Sequence, residues 1–159
     1  MSDTVTAVRD RSGHARTPIC PFDLRVDVVA GMVNLEIADD PHYDGMEIQL
    51  LVNTAARYAR LQPYQYHGSV YGIIPAKRGY LKPVGAWNTQ EIRCIGRRVT
   101  VILNGETIVD GDLDEASAGG TLDHKEHPGL ARTSGHIVLC GHKSDVKFRR
   151  LRVTEVRVE

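Results

Sequence analysis

Apolar and polar residues alternate along most of this chain, and they do so in short runs. Phe22, Leu24, Val26 and Val28 fall on one side of a pleated strand, with Asp23, Arg25 and Asp27 on the other. A second, weaker alternation runs through 32–38, and the following ADDPHYDG is turn chemistry. Residues 46–52 predict a third strand: Met46, Ile48, Leu50 and Val52 point one way, Glu47, Gln49 and Leu51 the other. Between 53 and 67 the spacing predicts no more than a short helical turn over 54–61, stopped by Pro63. Residues 69–75 predict another strand, and 77–86 a connection holding Gly79, Pro83 and Gly85.

A meander follows, with strands at 87–95, 99–103 and 106–109, turned at Gly96-Arg97 and at Asn104-Gly105. The Asn-Gly pair is the strongest hairpin signal, because a type I′ turn needs φ > 0 at both central residues. Residues 111–133 read as a polar Gly/Asp/His loop without a core pattern, and 134–139 and 146–156 close the chain as two more strands. Many short strands, many turns and no long helix predict an all-β jelly roll or sandwich. The 159 residues suit one domain. It is expected over 21–159, behind an N-terminal lead, 1–20, that is polar and without periodicity.

Charge narrows the partners. Twenty Lys+Arg balance twenty Asp+Glu, so the formal net charge is zero. Nucleic acid and anionic membranes both call for a basic excess and are not expected partners. No apolar run approaches the roughly 18 residues of a spanning helix. The start MSDTVTAVRDRSGHARTP has no apolar h-region, so the chain as written is expected in the cytoplasm unless it is a fragment or a mature form with a new start, and its compartment is left open. Cys20, Cys94 and Cys140 are an odd number without C-x-x-C spacing, which speaks against a disulfide framework or zinc ribbon.

The candidate chemistry sits on the polar sides of two strands. Glu47 and Gln49 share one side of theirs, which is either a solvated outer face or a binding face. In SGHIVLCGH, Ile137 and Leu139 share one side, and His136, Val138, Cys140 and His142 the other. Two imidazoles facing a carboxylate strand would make an acid–base set, though a place on the solvated surface is the commoner fate of any single histidine. Tyr64, Tyr66, Tyr71 and Tyr80 are more aromatics than a turn region needs, and sugar sites stack C–H faces on such rings. Trp87, followed by Asn88, either joins that site or caps the core. His124 and His127, with Asp123 and Glu126 near, have metal-ligand spacing, but a polar loop is a weak setting for it. No G-x-S-x-G, H-E-x-x-H, P-loop or dinucleotide-binding glycine pattern occurs.

Three blocks stand in order along the chain: DPHYDGMEIQLL, YHGSVYGIIPAKRGYLKPVGAWNTQEI, and LNGETIVDGDL with RTSGHIVLCGHKSDVKFRRLRV. Together they resemble the 3-keto-disaccharide hydrolase domain family. The resemblance runs from about Phe22 to Val156 and implies a concanavalin/laminin-G-like jelly-roll β-sandwich. It also implies action on sugars carrying a ketone at C3. Such a ketone acidifies the C2 proton. A base removes it, the enolate expels the C1 substituent, and water adds to the enone. By this resemblance Glu47 is the base and His142 the acid or enolate partner. His136 stands second to His142 in that role and lines the substrate site, Gln49 and Asn88 orient substrate hydroxyls, and Tyr71 and Trp87 shape the pocket. No cofactor and no metal ligand set is assigned, and a divalent metal is left open.

The chain departs from the family in two respects. Cys140 stands where the family often has Gln, and the family's opening Asp-Gly-x-x-Leu-x-Gly-Trp segment is not visible. A sheet without its first strand exposes an edge that invites a second copy of the chain, so three readings stay open: a truncated chain, a homodimer through that edge, or an impaired catalyst. Carbohydrate is the expected ligand. A non-catalytic carbohydrate-binding module is the competing function, because one sandwich serves both.

Overall fold

The computed structural model describes residues 22–29, 33–37, 45–53, 56–132, 137–141 and 147–155. Their strands are β1 (Phe22–Val29), β2 (Val33–Ile37), β3 (Met46–Leu50), β4 (Trp87–Ile95), β5 (Arg98–Leu103), β6 (Glu106–Asp112), β7 (Ile137–Gly141) and β8 (Lys147–Glu155). They form two antiparallel sheets, one of five strands in the order β6-β5-β4-β1-β8 and one of three in the order β3-β2-β7. The expected lead, 1–20, lies outside the described residues.

The two sheets pack face to face because both alternate. Along β4, Asn88, Gln90, Ile92 and Cys94 are buried, while Thr89 is exposed and Glu91 and Arg93 are partly so. Along β5 the buried set is Val99, Val101 and Leu103. Met46 and Ile48 of β3 join Ile92, Cys94, Val99 and Val101 in one core cluster, so the inner face of β3 lies against β4 and β5. A two-sheet β-sandwich results, its core drawn from alternate residues of each layer.

The meander forms as its turn residues dictate. Asn104 and Gly105 have φ of 52° and 93°, the two positive values of a type I′ turn. Gly96 supplies the single positive φ, 59°, at the other hairpin. Asn104 does more than turn the chain. Its Nδ2 donates to the Tyr80 carbonyl (2.7 Å) and to Asn88 Oδ1 (2.9 Å), and its Oδ1 accepts from the Thr89 N–H (3.0 Å). Asn88 Oδ1 also accepts from the Lys82 N–H (2.9 Å), so two carboxamides fasten the 80–88 loop to the sandwich.

Two stretches differ from the sequence expectation. The predicted strand at 69–75 is a tight turn. Gly68 (φ 83°) and Gly72 (φ 74°) bend the backbone, and Val70 and Ile74 bond to each other in both directions (3.0 and 2.9 Å). Only Val70 bridges to Ile48 of β3. The second stretch is 111–133, expected to lack a core pattern. Here β6 runs on to Asp112, whose carboxylate caps a short helix, α1 (Leu113–Ser117), by accepting from the N–H groups of Asp114 and Glu115. Leu113 and Leu130 enter the core cluster, spaced too far apart for any periodicity to reveal them.

Candidate functional site

The site is built on the outward side of β3 and on the segment that extends its sheet. The Gln49 N–H donates to the Ser69 carbonyl (2.9 Å), the Gly68 N–H to the Gln49 carbonyl (2.7 Å) and the Tyr71 N–H to the Glu47 carbonyl (2.9 Å). Gly68 and Ser69 thus both oppose the single residue Gln49, which is a β-bulge with glycine in the left-handed position. The bulge needs glycine twice over: a Cβ there would stand 2.2 Å from Ile108 Cδ1. Past the bulge, Val70 faces Ile48 in the core and Tyr71 stands directly opposite Glu47. Both flank core residues, so Glu47 and Tyr71 share the outward side.

Gln49 belongs to the same side, yet it is only 7% exposed, and its Oε1 has no hydrogen-bond partner among the described residues. A buried carbonyl oxygen without a donor is costly, and in a binding face it is an acceptor waiting for a ligand hydroxyl. A 3-10 turn at Pro63–Gln65 is held against this face. Ser69 Oγ donates to the Pro63 carbonyl (3.4 Å), and Gln65 Nε2 donates to Tyr71 Oη (3.0 Å). Tyr64, in the same turn, meets the Tyr71 ring edge-on at 5.6 Å between centroids.

Beside this face lies a buried acid–imidazole pair whose sequence pattern suggests no more than a weak metal motif. His127 Nε2 is 3.0 and 3.1 Å from the two Asp123 oxygens, and both side chains are over nine-tenths buried. The pair presses on the backbone of Gly72, next to Tyr71, where a Cβ would come within 2.6 Å of Asp123 Oδ2. The Leu122 N–H donates to the Gly72 carbonyl (2.7 Å). Burial pushes the Asp123 carboxyl up, but hydrogen bonds from His127, the Lys125 N–H and Thr121 outweigh it and hold it below its ordinary value. His124 is exposed and does not join the pair. No group of three or more His, Cys, Asp or Glu able to hold a metal ion occurs among the described residues.

A second buried imidazole, His67, lies near Gln90 of β4. His67 Nδ1 accepts the Leu51 N–H (3.0 Å), and burial lowers its pKa to about 4, opposed in part by the carboxamide of Gln90. Gln90 is close enough to influence the ring, yet neither its amide atoms nor His67 Nε2 makes a well-aligned hydrogen bond among the described residues.

The structure therefore brings Glu47, Gln49 and Tyr71 together. It does not bring Trp87 to them. Trp87 shares its side of β4 with Thr89, Glu91 and Arg93, on the outer face of the other sheet, where Arg149 stacks on it at 4.0 Å. Asn88 is 7% exposed on the inner side of β4, its carboxamide engaged with Lys82, Asn104 and Ala86. His136 and His142 lie outside the described residues, as does the side chain of Cys140. Gln65 is the site residue that the sequence pattern does not single out. Its signal is faint: a Gln three residues after Gln62 and beside Pro63, a spacing that closes a reciprocal cap.

Comparison with known proteins adds to this geometry. Residues 24–154 match the family profile of the 3-keto-alpha-glucoside-1,2-lyase-like domain. No curated protein matches the chain. Crystal structures of two provisionally assigned glycosyl hydrolases from Parabacteroides distasonis superpose with TM-scores of 0.73 and 0.69. The first is 24% identical over 85% of this chain and 78% of its own, and the second 18% identical over 86% and 72%. At such identities the likeness is one of fold.

Proposed function

The chain belongs to the 3-keto-alpha-glucoside-1,2-lyase-like domain family, and from that premise we propose that it cleaves glycosides carrying a ketone at C3. Support comes from the outward side of β3. Glu47 stands opposite Tyr71, beside the buried, unpartnered acceptor of Gln49. These are the groups an elimination on a 3-keto sugar calls for: a carboxylate base for the C2 proton, and fixed polar and aromatic contacts to orient the ring. The provisional assignment of the two Parabacteroides structures as glycosyl hydrolases agrees with glycoside chemistry. In this reading Glu47 is the base and Gln49 accepts a ring hydroxyl. His142 remains our proposal for the acid at the leaving oxygen, with His136 second.

The deciding experiment follows a 3-keto-disaccharide by NMR in the presence of the protein and of Glu47→Gln. Release of the 3-keto monosaccharide by the parent, lost in a folded Glu47→Gln, is the expected result. Full activity in Glu47→Gln would remove the carboxylate from the mechanism. Saturable binding without release by the folded parent would make the domain a carbohydrate-binding module.

A further inference from the structure

Two hydrogen bonds and an edge-on aromatic ring fix the orientation of a phenol beside the proposed base. The backbone N–H of Gln62 donates to Gln65 Oε1 (2.9 Å). That contact settles which end of the Gln65 carboxamide is which, since a flipped amide would set N–H against N–H. Its Nε2 is then a donor, and it reaches Tyr71 Oη at 3.0 Å. The Tyr71 oxygen is therefore an acceptor in this bond. Its own proton must point elsewhere, and it has no other hydrogen-bond partner among the described residues. A hydroxyl that already accepts one hydrogen bond is polarised into a better donor. The ring is held from its edge by Tyr64, and the residue is half-buried, so the donor is placed rather than free to swing.

Tyr71 stands directly opposite Glu47, joined by the 2.9 Å backbone bond. Side chains opposed in this way have Cβ atoms about 4.5–5.5 Å apart. We propose that the Tyr71 hydroxyl is the donor that holds the C3 oxygen while Glu47 takes the C2 proton, and that Gln65 is its positioning residue. This deepens the proposed function and rests on it.

The step balances without a further reactant. The Glu47 carboxylate takes the C2 proton, and the electrons of that C–H bond form the C2=C3 double bond. The C3=O π pair moves onto oxygen, where the Tyr71 O–H stabilises the negative charge without transferring its proton. As the carbonyl re-forms, the C2=C3 pair shifts to C1=C2. The C1–O bond breaks with its electrons on the leaving oxygen, which takes up a proton that is, in the net balance, the one Glu47 removed from C2. A donor aimed at where charge develops is worth most where water is excluded. The Pro63–Gln65 turn serves the same chemistry, since it brings a second aromatic ring and the fixed amide to that phenol.

The test pairs kinetics with a spectroscopic signature. Tyr71→Phe is expected to lower kcat on a 3-keto-disaccharide by about 10²-fold or more, with KM held within about threefold. Gln65→Leu is expected to lower kcat by about tenfold through the same step. Independently of turnover, a 3-keto-disaccharide labelled with ¹³C at C3 and bound to Glu47→Gln should show its carbonyl signal moved downfield. That shift should be lost in Glu47→Gln/Tyr71→Phe and reduced in Glu47→Gln/Gln65→Leu. If the parent turns over while Tyr71→Phe keeps its kcat, or if the carbonyl shift survives the loss of the phenol, Tyr71 is not the donor and the proposed function stands without it. If the folded parent neither binds nor cleaves the 3-keto sugar, the proposed function and this inference fall together, and absent binding distinguishes that outcome. Should Tyr71→Phe fail to fold, Gln65→Leu decides in its place: an unchanged kcat and carbonyl shift there overturn the proposal.

Discussion

His67 should make the sandwich lose stability on mild acidification, well before its carboxylates titrate. The imidazole is fully enclosed, with Nδ1 committed to the Leu51 N–H, so the neutral form with its proton on Nε2 is the one the fold accommodates. Protonating Nδ1 would forfeit that bond and place a charge in the core. Burial accordingly lowers the pKa from 6.5 to about 4. The folded value lies below the unfolded one, so the contribution is present in full above the unfolded value. It drains as pH falls, and is gone once pH has passed the folded value. At about 1.4 kcal/mol per pH unit the whole loss is about 3 kcal/mol, and about 2 kcal/mol of it falls between pH 7 and pH 5.

The assay is urea unfolding across that interval for the parent and for His67→Gln. The other six of the seven histidines cancel in the difference. Asp110 and Asp123, both held below their ordinary 3.8, barely titrate in this window. Parallel stability curves for the two proteins, or an imidazole titration by NMR near 6.5 for His67, would contradict this account of the buried ring. Detection of the Nδ1–H tautomer would equally show that the Leu51 contact is misread.

Three further outcomes are expected. Gly68→Ala meets both a left-handed backbone (φ 83°) and Ile108 Cδ1 at 2.2 Å, and should cost about 3 kcal/mol in chemical denaturation. Adding Ile108→Val removes the clashing methyl and should return about 1 kcal/mol of it, a coupling absent if the strain is purely backbone. Asp123→Asn breaks the buried contact with His127 and should destabilise by about 3 kcal/mol. Because the folded pKa of Asp123 lies below 3.8, the parent should lose this contribution as pH falls through that folded value, and the variant should not show that loss. Asn88→Ala removes the acceptor of the Lys82 N–H and one of the two acceptors of the Asn104 amide, which keeps the Tyr80 carbonyl. It should cost about 1–3 kcal/mol and speed amide exchange at Lys82; an effect on substrate KM alone would instead place Asn88 at the site.

Much of the architecture was readable along the chain. The alternation of 46–50 assigned Met46 and Ile48 to the core and Glu47 and Gln49 to the other side, as found, although Gln49 is buried there. The Asn104-Gly105 turn followed from its two residues. These are properties of neighbours in sequence: a pleat repeats every two residues, and a type I′ turn admits few residue types. The tertiary structure decided what depends on how distant segments meet. Sequence parity separates Trp87 from Asn88, but only the packing of the sheets puts Trp87 on the outer face opposite to that of Glu47. It is also packing that buries His67 against Gln90 and turns an expected loop motif into the Asp123–His127 pair over Gly72. The same holds for the Gly68 bulge and the Gln65–Tyr71 bond, each formed between residues whose local patterns carry no mark of the other. A strand's periodicity says which residues share a side. Which side faces the core, and what stands across from it, is fixed only when the two sheets close on one another.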